Sequence, residues 1–374
     1  MEILNDKQQL NWMLRGLGIY GVGGGGDPMD FGAPVVAADL DQNRSYQLVD
    51  LADVPDDATI VTGGYLGSVA DPIDVHEVLA RWEKNFEFGQ ALREMERYLD
   101  KRIDYLLASE LGGGNTIVML TAGARLGLPV VDGDGAGRAV PETQMTSLVG
   151  HGFPLTPMNL LDLDGNLVFV EEQTGLFADQ IGRFMVTRTH GMVAAVNSPI
   201  TGKDAKRAVV PATISGAIEL GRFCSTLSGS AEERLDQLSA FLKGVSLFWG
   251  EVDSIKGDNT KGHYYAQVYL RGKGRYEGER FRIAIKNETM AGWRNDKPIC
   301  VFPDLLMMVD PSTFEGIMSS SIMKDTEMLL IGKPCSTMLI ESMQRQIGAV
   351  AFSSERYGER LSYCPVTELA QGFV

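Results

Sequence analysis

The fold is decided by residues 103–134, which read IDYLLASELGGGNTIVMLTAGARLGLPVVDGD. Two short apolar runs, at 103–109 and 128–131, are typical of buried strands. Between them a glycine loop at 110–115 precedes a stretch at 116–126 whose pattern predicts a helix. A strand, a helix and a second strand in this order predict a βαβ unit, whose two strands are parallel members of one sheet.

Three acidic residues follow the two strands of this unit. Glu110 comes directly after the first strand, and Asp132 and Asp134 follow the second. In an open parallel sheet, ligands bind beyond the carboxyl ends of the strands. We therefore expect the three carboxylates to lie side by side in a binding site at that edge.

The glycine loop between the strands offers backbone donors to the same site. The amides of Gly113, Gly114 and Asn115 stand at the start of the predicted helix, where they can face an oxyanion of a ligand. A simpler interpretation makes Asn115 a helix cap and nothing more. Glu110 has no comparable structural role after an apolar strand, so we expect it to act on the ligand.

A second glycine-rich stretch lies at 16–26 and is followed by Asp27. It matches the dinucleotide-binding pattern G-x-G-x-x-G, but that pattern needs a strand before it, and here a predicted helix at 5–17 precedes it. We therefore reject the dinucleotide interpretation. Consecutive glycines suit places where the backbone turns with positive φ or approaches something closely. We interpret Gly25 and Gly26 as part of a ligand-lining loop that delivers the Asp27 side chain.

The segment 132–142, DGDGAGRAVPE, looks at first like a calcium-binding loop, but it lacks ligands at the fifth and twelfth positions. It offers instead two carboxylates and the Arg138 guanidinium at the sheet edge, with Glu142 in the first turn of a helix. Arg138 either pairs with Asp134 or Glu142, or anchors a substrate. The residues alone favour neither role.

The histidines add two candidates. His151 and His190 each sit beside a glycine and could act as a base or a metal ligand, although a satisfied core or surface position is the simpler interpretation of each. A divalent metal, if one is used, would be held by Asp132 and His190; no other cofactor is expected. The four cysteines are too scattered for a structural zinc site or a disulfide scaffold.

From about residue 160 the pattern changes to hairpins, beginning with an Asp164-Gly165 turn between two apolar runs. Later segments alternate apolar and polar residues with period two: 245–255, 263–270 and 280–286. The sequence therefore predicts an α/β plus β fold. An amino-terminal α/β domain with a mainly parallel sheet is placed at 1–165, and a β-rich carboxy-terminal domain at 166–374, with an antiparallel subdomain at about 246–345.

Composition narrows the classes of function. The chain has 374 residues and a net charge of −15, without the clustered Lys and Arg that nucleic-acid binding requires. Its acidic start lacks the basic region of a signal peptide, and its longest uncharged stretch, at 143–161, contains prolines unsuited to a membrane span. We expect a cytoplasmic protein that binds a small molecule, forms homo-oligomers, and binds neither nucleic acid nor membrane.

The motifs taken together resemble the S-methyl thiohydantoin desulfurase family, which is loosely allied to hydantoinase and oxoprolinase-type proteins. The resemblance rests on the glycine run with Asp27, on ELGGGN at 110–115, on PVVDGDGAGRAVPE at 129–142 and on FPDLL at 302–306. It implies an amino-terminal α/β domain and a β-rich carboxy-terminal domain, in agreement with the prediction above.

The resemblance also implies a reaction, the hydrolytic removal of methanethiol from a five-membered S-methyl thiohydantoin ring to leave a hydantoin. Water must attack the carbon that bears sulfur, which needs a base, a proton donor and dipoles for the developing charge. On this basis the expected base is Asp132 or Glu110, and Asp27 either accepts from a ring N–H or serves as a second carboxylate.

The remaining roles follow from the same reaction. Asn115 and the glycine amides stabilise the oxyanion, Arg138 anchors a substrate carboxylate, and Asp134 and Glu142 contribute to substrate binding. Two alternatives stay open: a metal-dependent hydrolase of a cyclic amide such as a hydantoin or oxoproline, and a non-catalytic protein that binds a heterocycle.

Overall fold

The computed structural model describes residues 1–71, 73–171, 173–189 and 191–373, with Gln346 described by its backbone only. The strands are β1 (Glu2–Leu4), β2 (Tyr46–Asp50), β3 (Thr59–Gly67), β4 (Tyr105–Ala108), β5 (Val130–Asp134), β6 (Met158–Asp162), β7 (Leu167–Val170), β8 (Met192–Thr201), β9 (Val210–Pro211), β10 (Val245–Thr260), β11 (His263–Gly272), β12 (Arg280–Lys286), β13 (Glu288–Arg294), β14 (Lys297–Val301), β15 (Leu305–Val309) and β16 (Glu327–Lys333).

The α-helices are α1 (Lys7–Tyr20), α2 (Ala33–Asp41), α3 (Val75–Trp82), α4 (Glu87–Leu99), α5 (Asn115–Leu126), α6 (Ser147–Gly150), α7 (Gly175–Val186), α8 (Gly202–Ala208), α9 (Thr213–Cys224), α10 (Ala231–Phe241), α11 (Thr337–Gln344), α12 (Gln346–Ala351) and α13 (Val366–Leu369). A short π-helical turn, Pro28–Gly32, directly precedes α2. None of the described helices is both long and apolar enough to cross a membrane.

The first sheet has a parallel centre and antiparallel flanks. Its strand order is β1-β2-β5-β4-β3-β8-β6-β7, with β9 paired to β5. The four strands β2, β5, β4 and β3 are mutually parallel, and the others run antiparallel to their neighbours. The predicted βαβ unit is confirmed, because β4 and β5 are adjacent, parallel and joined through α5.

The second sheet is antiparallel throughout, in the order β14-β13-β12-β11-β10-β16-β15. One of its faces packs with α10 and α13 into a separate hydrophobic core, with Leu235, Phe248 and Leu330 among its buried members. A parallel-centred α/β unit followed by an antiparallel β unit confirms the predicted fold class.

Residue 165 does not separate the two sheets. The strands β7, β8 and β9 all lie beyond it, yet they belong to the first sheet. The reason is that β8 is hydrogen-bonded within the first sheet, to β3 on one side and to β6 on the other. The second sheet occupies Val245 to Lys333.

The two glycine loops pack backbone against backbone. The carbonyl oxygen of Gly25 accepts hydrogen bonds from the amides of Gly114, at 2.9 Å, and Asn115, at 3.0 Å. A Cβ atom on Gly112 would lie 2.6 Å from the Cα of Gly25, and one on Gly26 would lie 2.6 Å from the Cα of Gly114. Glycine is therefore required here because the backbones of the two loops approach each other more closely than a Cβ atom allows.

Replacing Gly112 with alanine should force the two loops apart. We expect the free energy of unfolding to fall by about 1–3 kcal/mol, measured by urea denaturation. The matched control is Gly216→Ala in α9, where an added Cβ meets nothing within 4 Å. Alanine favours a helix over glycine, so this control should retain or raise stability. Equal losses in the two variants would contradict the close packing.

Candidate functional site

A cavity of about 380 Å³ opens where the carboxyl ends of β3 and β4 meet the second sheet. The unit built on the first sheet, here called the first domain, lines it with Glu110, Asn115 and the loop at 25–27. The chain from β10 onward, here called the second domain, lines it with Asn287 and Glu288. Its position agrees with the rule that open α/β sheets bind ligands beyond the carboxyl ends of their strands. The lining thus comes from residues far apart in the chain.

Glu110 is buried in the wall of this cavity. Its Oε1 atom accepts a hydrogen bond from Nδ2 of Asn115 at 2.6 Å, and its Oε2 atom accepts one from the backbone amide of Val140 at 2.6 Å. Burial raises the pKa of the Glu110 carboxyl, while the two N–H donors and the charges of Arg183 and Arg138 oppose that shift. Both of its oxygens are therefore held in place by donors.

Glu288, at the start of β13, faces the same cavity from the second domain and is only 2 % exposed. Its Oε2 atom has no hydrogen-bond partner among the described residues. Burial, and then the neighbouring charge of Glu110, raise the pKa of Glu288 to about 8. The cavity therefore holds two interacting carboxyl groups in different surroundings.

The sequence analysis missed Glu288. The signal that could have indicated it is the polar run Lys286-Asn287-Glu288-Thr289, which interrupts an apolar alternation at a strand end. A charged residue between two buried strands has to be explained by a partner or a function. Its proximity to Glu110 could not be predicted, because it depends on how the two sheets face each other.

Asn115 positions Glu110. Its Oδ1 atom accepts from the Tyr65 amide at 2.8 Å, and its Nδ2 atom donates to the Tyr65 carbonyl oxygen at 3.2 Å as well as to Glu110. The expected oxyanion role fails for its backbone, since the amides of Gly114 and Asn115 already donate to Gly25. The two glycine loops satisfy each other's hydrogen bonds.

Asp27 lies at the rim of the cavity together with Gly25, Gly26 and Gly114. Its Oδ1 atom caps the turn that follows, by accepting from the amides of Met29 at 2.7 Å and Asp30 at 2.8 Å. Gly113 is not part of the lining, because its Cα packs against Pro28; a Cβ there would lie 2.6 Å from the Pro28 nitrogen. Asp27 is thus both a capping residue and a wall of the cavity.

Three further donors face the cavity. Asn197, buried in β8, accepts from the Thr62 hydroxyl through Oδ1, while its Nδ2 has no partner among the described residues. The Ser109 hydroxyl is likewise buried without a described partner. Arg183 donates to the carbonyl oxygens of Gly67 at 2.7 Å and Pro141 at 2.8 Å.

Asp132 does not reach the cavity, contrary to expectation. Its Oδ1 atom accepts from the amides of Ile214 at 3.0 Å and Ser215 at 3.1 Å, and so caps the start of α9. The end of β5 is covered by β9, which pairs with Gly133 and Asp134. The carboxyl end of β5 is therefore covered by β9 and the start of α9, whereas the carboxyl ends of β3 and β4 open into the cavity.

Asp134 is also outside the cavity lining. It is fully buried, and its Oδ1 atom accepts from the amides of Ala136 at 2.5 Å and Gly137 at 2.6 Å. Its other oxygen has no hydrogen-bond partner among the described residues. Burial raises the pKa of Asp134 to about 7. It shapes the tight turn after β5 instead of binding a substrate.

Arg138 is fully buried and joins the two domains through hydrogen bonds. Its guanidinium donates to the carbonyl oxygens of Asp304 at 2.9 Å and Thr289 at 2.8 Å, and lies 4.9 Å from the Phe302 ring centre. Neither role proposed from the sequence holds, since within the described residues it forms no ion pair with Asp134 or Glu142, and it does not line the cavity.

Glu142 forms a second tie between the domains. Its carboxylate is paired with Lys286 and with Arg356, whose Nε lies 2.7 Å from Oε2. Burial opposes ionisation, but the two positive charges outweigh it and lower the pKa of Glu142. A carboxylate so fully paired is not available to a substrate, which corrects the expected binding role.

The metal candidates find little support in the described residues. They contain no group of three or more His, Cys, Asp and Glu side chains placed to hold a metal ion. Asp132 is engaged at α9, and His190 lies outside the described residues. His151 contacts the Ser147 carbonyl oxygen and Glu341, away from the cavity.

Comparison with protein families gives matches along nearly the whole chain. The S-Me-THD-like N-terminal domain matches residues 8–172, and the S-Me-THD-like C-terminal domain matches residues 173–365. The chain belongs to the S-Me-THD-like family. The resemblance stated from the sequence motifs is thereby confirmed.

The fold of this S-Me-THD-like protein is also found in a solved structure. An X-ray crystal structure of a protein from Chromobacterium violaceum is similar to it with a TM-score of 0.73 and 23% sequence identity, over 98% of this chain and 100% of that one. At this identity the similarity shows the fold alone. A comparison with curated proteins found no match.

The raised pKa of Asp134 predicts a pH dependence of stability for the S-Me-THD-like protein. Its folded-state pKa, about 7, lies above its ordinary value of 3.8, so folding retains a proton that the unfolded chain loses between these values. The stabilising contribution is therefore complete below about pH 4 and is lost as the pH rises through about 7.

Asp134→Asn should remove this dependence. Against the wild type, the free energy of unfolding of the variant should rise by up to about 1.4 kcal/mol per pH unit between pH 4 and 7. Urea denaturation at several pH values measures the difference. The buried amide of the variant changes its free energy of unfolding by the same amount at every pH, so the test is the difference between the two slopes against pH. Parallel plots of the free energy of unfolding against pH for the two proteins would contradict the prediction.

Proposed function

We propose that this protein is a hydrolase that removes methanethiol from an S-methyl thiohydantoin ring and leaves a hydantoin. The observation that carries the proposal is the pair of buried carboxyl groups, Glu110 and Glu288, in one cavity between the two domains. Burial raises the pKa of both carboxyl groups, that of Glu288 to about 8, while two N–H donors oppose the shift at Glu110. A hydrolysis that needs one base and one acid can use such a pair.

Glu110 is the base in this proposal. Its two oxygens accept from Asn115 and Val140, and hydrogen bonds from N–H groups stabilise a carboxylate in its ionised form. Each oxygen retains a second lone pair, with which it can accept a proton from water. Donors on both oxygens also fix the direction in which the carboxylate points.

Glu288 is the acid. Because the pKa of its carboxyl is about 8, Glu288 keeps its proton at neutral pH. In this proposal Glu110, whose two oxygens accept N–H hydrogen bonds, carries the single charge of the pair. The Oε2 atom of Glu288 has no hydrogen-bond partner among the described residues, so in this proposal it donates the proton to a ring nitrogen or to the leaving sulfur. Two adjacent carboxyl groups rarely ionise together, so the pair shares one proton.

The reaction balances with water as its one co-reactant. Glu110 takes a proton from water while the oxygen forms a bond to the ring carbon that bears sulfur, and Glu288 protonates the ring nitrogen of the C=N bond. The tetrahedral carbon then loses the S-methyl group: the C–S bond breaks, sulfur receives the proton held by Glu110, and the new hydroxyl becomes a carbonyl as its proton returns to Glu288. The products are methanethiol and a hydantoin, and both carboxyl groups return to their starting states.

The other donors in the cavity bind the ring in this proposal. The Nδ2 group of Asn197 has no partner among the described residues, so a carbonyl oxygen of the ring would satisfy a buried donor that is otherwise costly. The Ser109 hydroxyl is placed in the same way. No step of the proposed reaction uses a cofactor.

Glu110→Gln and Glu288→Gln should each lower kcat by roughly a hundredfold or more, the usual size of an acid or base contribution. Methanethiol release from a synthetic S-methyl thiohydantoin measures this, with Glu277→Gln, on the exposed surface, as the matched control. Hydantoin and 5-oxoproline tested beside it address the cyclic amide alternative. Full turnover in both folded variants would refute the assignment, and tight binding without turnover in the wild type would indicate a binding protein.

The pH profile of kcat separates the two roles. Since Glu288 acts while protonated, activity should fall as the pH rises above about 8, and it should fall on the acidic side as Glu110 gains a proton. In Glu288→Gln the decline above pH 8 should disappear from the residual rate. A profile that rises through pH 9 in the wild type would assign the opposite role to Glu288.

A further inference from the structure

Arg183, on α7, is the one Lys, Arg or His side chain among the described residues that line the cavity of Glu110 and Glu288. The other charged residues of this described lining are acidic: Asp27, Asp30 and Asp71. Arg183 therefore supplies the positive charge of a wall that is otherwise lined by carboxyl groups.

Hydrogen bonds fix the Arg183 guanidinium between the two domains. Its Nη1 atom donates to the carbonyl oxygen of Gly67, at the end of β3, at 2.7 Å, and to that of Gly262, between β10 and β11, at 3.3 Å. Its Nη2 atom donates to the carbonyl oxygen of Pro141 at 2.8 Å. Since the three acceptors belong to both domains, the charge is held at one place in the wall.

The acceptor at Pro141 lies next to the residue that holds Glu110. Pro141 follows Val140, whose amide donates to Oε2 of Glu110 at 2.6 Å. The Nε2 atom of His263 lies 2.9 Å from the same Pro141 oxygen. Burial first, then the charge of Arg183, lower the pKa of His263 to about 2, so this histidine is neutral and adds no second positive charge.

The acceptor at Gly67 lies next to the segment that carries Glu288. The Gly67 carbonyl oxygen also accepts from Nδ2 of Asn287, at 3.5 Å, and Asn287 directly precedes Glu288. Through these two carbonyl oxygens Arg183 is therefore connected to the surroundings of both carboxyl groups.

Arg183 reaches neither carboxyl group as an ion-pair partner. Among the described residues, the carboxylate at ion-pairing distance is Asp179 on its own helix, with Oδ1 3.8 Å from Nε. That oxygen also accepts from the amide of Thr143 at 2.9 Å and from its hydroxyl at 2.8 Å. The oxygens of Glu110 and Glu288 are thus not occupied by the cation, and its effect on them acts through space.

This effect has the same sign at both carboxyl groups. Burial raises the pKa of Glu110 and that of Glu288, and the positive charge of Arg183 opposes the rise in each. Further titratable or charged groups around these side chains, all unchanged in the comparison below, are Arg138, Asp134, Asp179, His263, Lys286 and the three lining aspartates.

We propose that Arg183 is a positioning residue of the site, whose fixed charge keeps one negative charge on the pair, so that Glu110 is a base while Glu288 remains an acid. The inference rests on the proposed function. Without a nearby cation, two buried carboxyl groups both favour the protonated form, which leaves no base for the attacking water.

The test separates the charge of Arg183 from its hydrogen bonds. Arg183→Gln removes the charge and keeps an amide donor, whereas Arg183→Lys keeps the charge. In the pH profile of kcat for methanethiol release, both limbs of Arg183→Gln should move to higher pH by roughly one pH unit, because loss of a positive charge raises both pKa values. In Arg183→Lys both limbs should stay close to those of the wild type.

Arg183→Met is a second neutral variant if Arg183→Gln does not fold. The matched control is Arg188→Gln, which removes an exposed charge just after the end of α7 and should leave the profile unchanged. A purely structural role would lower kcat in the Lys and Gln variants alike and leave both limbs in place. That result would overturn the inference.

The two proposals fail in different ways. If the wild type releases no methanethiol, the proposed function is wrong. NMR titration of isotope-labelled glutamate carboxyl groups, assigned with Glu110→Gln and Glu288→Gln, then tests Arg183 alone. Higher pKa values of both carboxyl groups in Arg183→Gln, but not in Arg183→Lys, support the role of its charge, and unchanged values overturn it.

Discussion

The structure depends on the contact between its two glycine loops. A single carbonyl oxygen, that of Gly25, accepts from two successive amides at the start of α5, and neither loop has room for a Cβ at the crossing. This contact places Asp27 on one side of the cavity and Glu110 on the other. It also occupies the amides of Gly114 and Asn115, which the sequence analysis expected to face an oxyanion of a ligand.

The cavity exists only because the second domain is held against the first. Arg138 donates to carbonyl oxygens of the second domain, and Glu142 forms buried ion pairs with Lys286 and Arg356. Breaking a buried pair leaves an uncompensated charge, so such ties strongly resist separation. They hold Glu288 in a buried position near Glu110, and burial first, then the charge of Glu110, raise the pKa of Glu288. Among the buried glutamates, Glu142 thus joins the domains, whereas Glu110 and Glu288 line the cavity.

Local patterns predicted much of the fold. The βαβ unit was predictable because its two apolar runs and its glycine loop lie within one short stretch of the chain. The site was predictable in part. Glu110 was identified by its place after an apolar strand, but Asp132, at the end of the next strand, proved to be a helix cap, since β9 and α9 close that end of the sheet.

The sequence by itself determined the fold class, the family resemblance and the edge of the first sheet at which the cavity opens, because each of these depends on motifs whose residues lie close together in the chain. Only the tertiary structure decided which carboxylates share the cavity. Glu288 and Glu110 meet through the packing of two sheets, and Arg138 and Glu142 leave the site because their partners come from the other domain. Proximity, burial and pairing are properties of the folded chain, and they distinguish a reactive carboxyl group from a structural one.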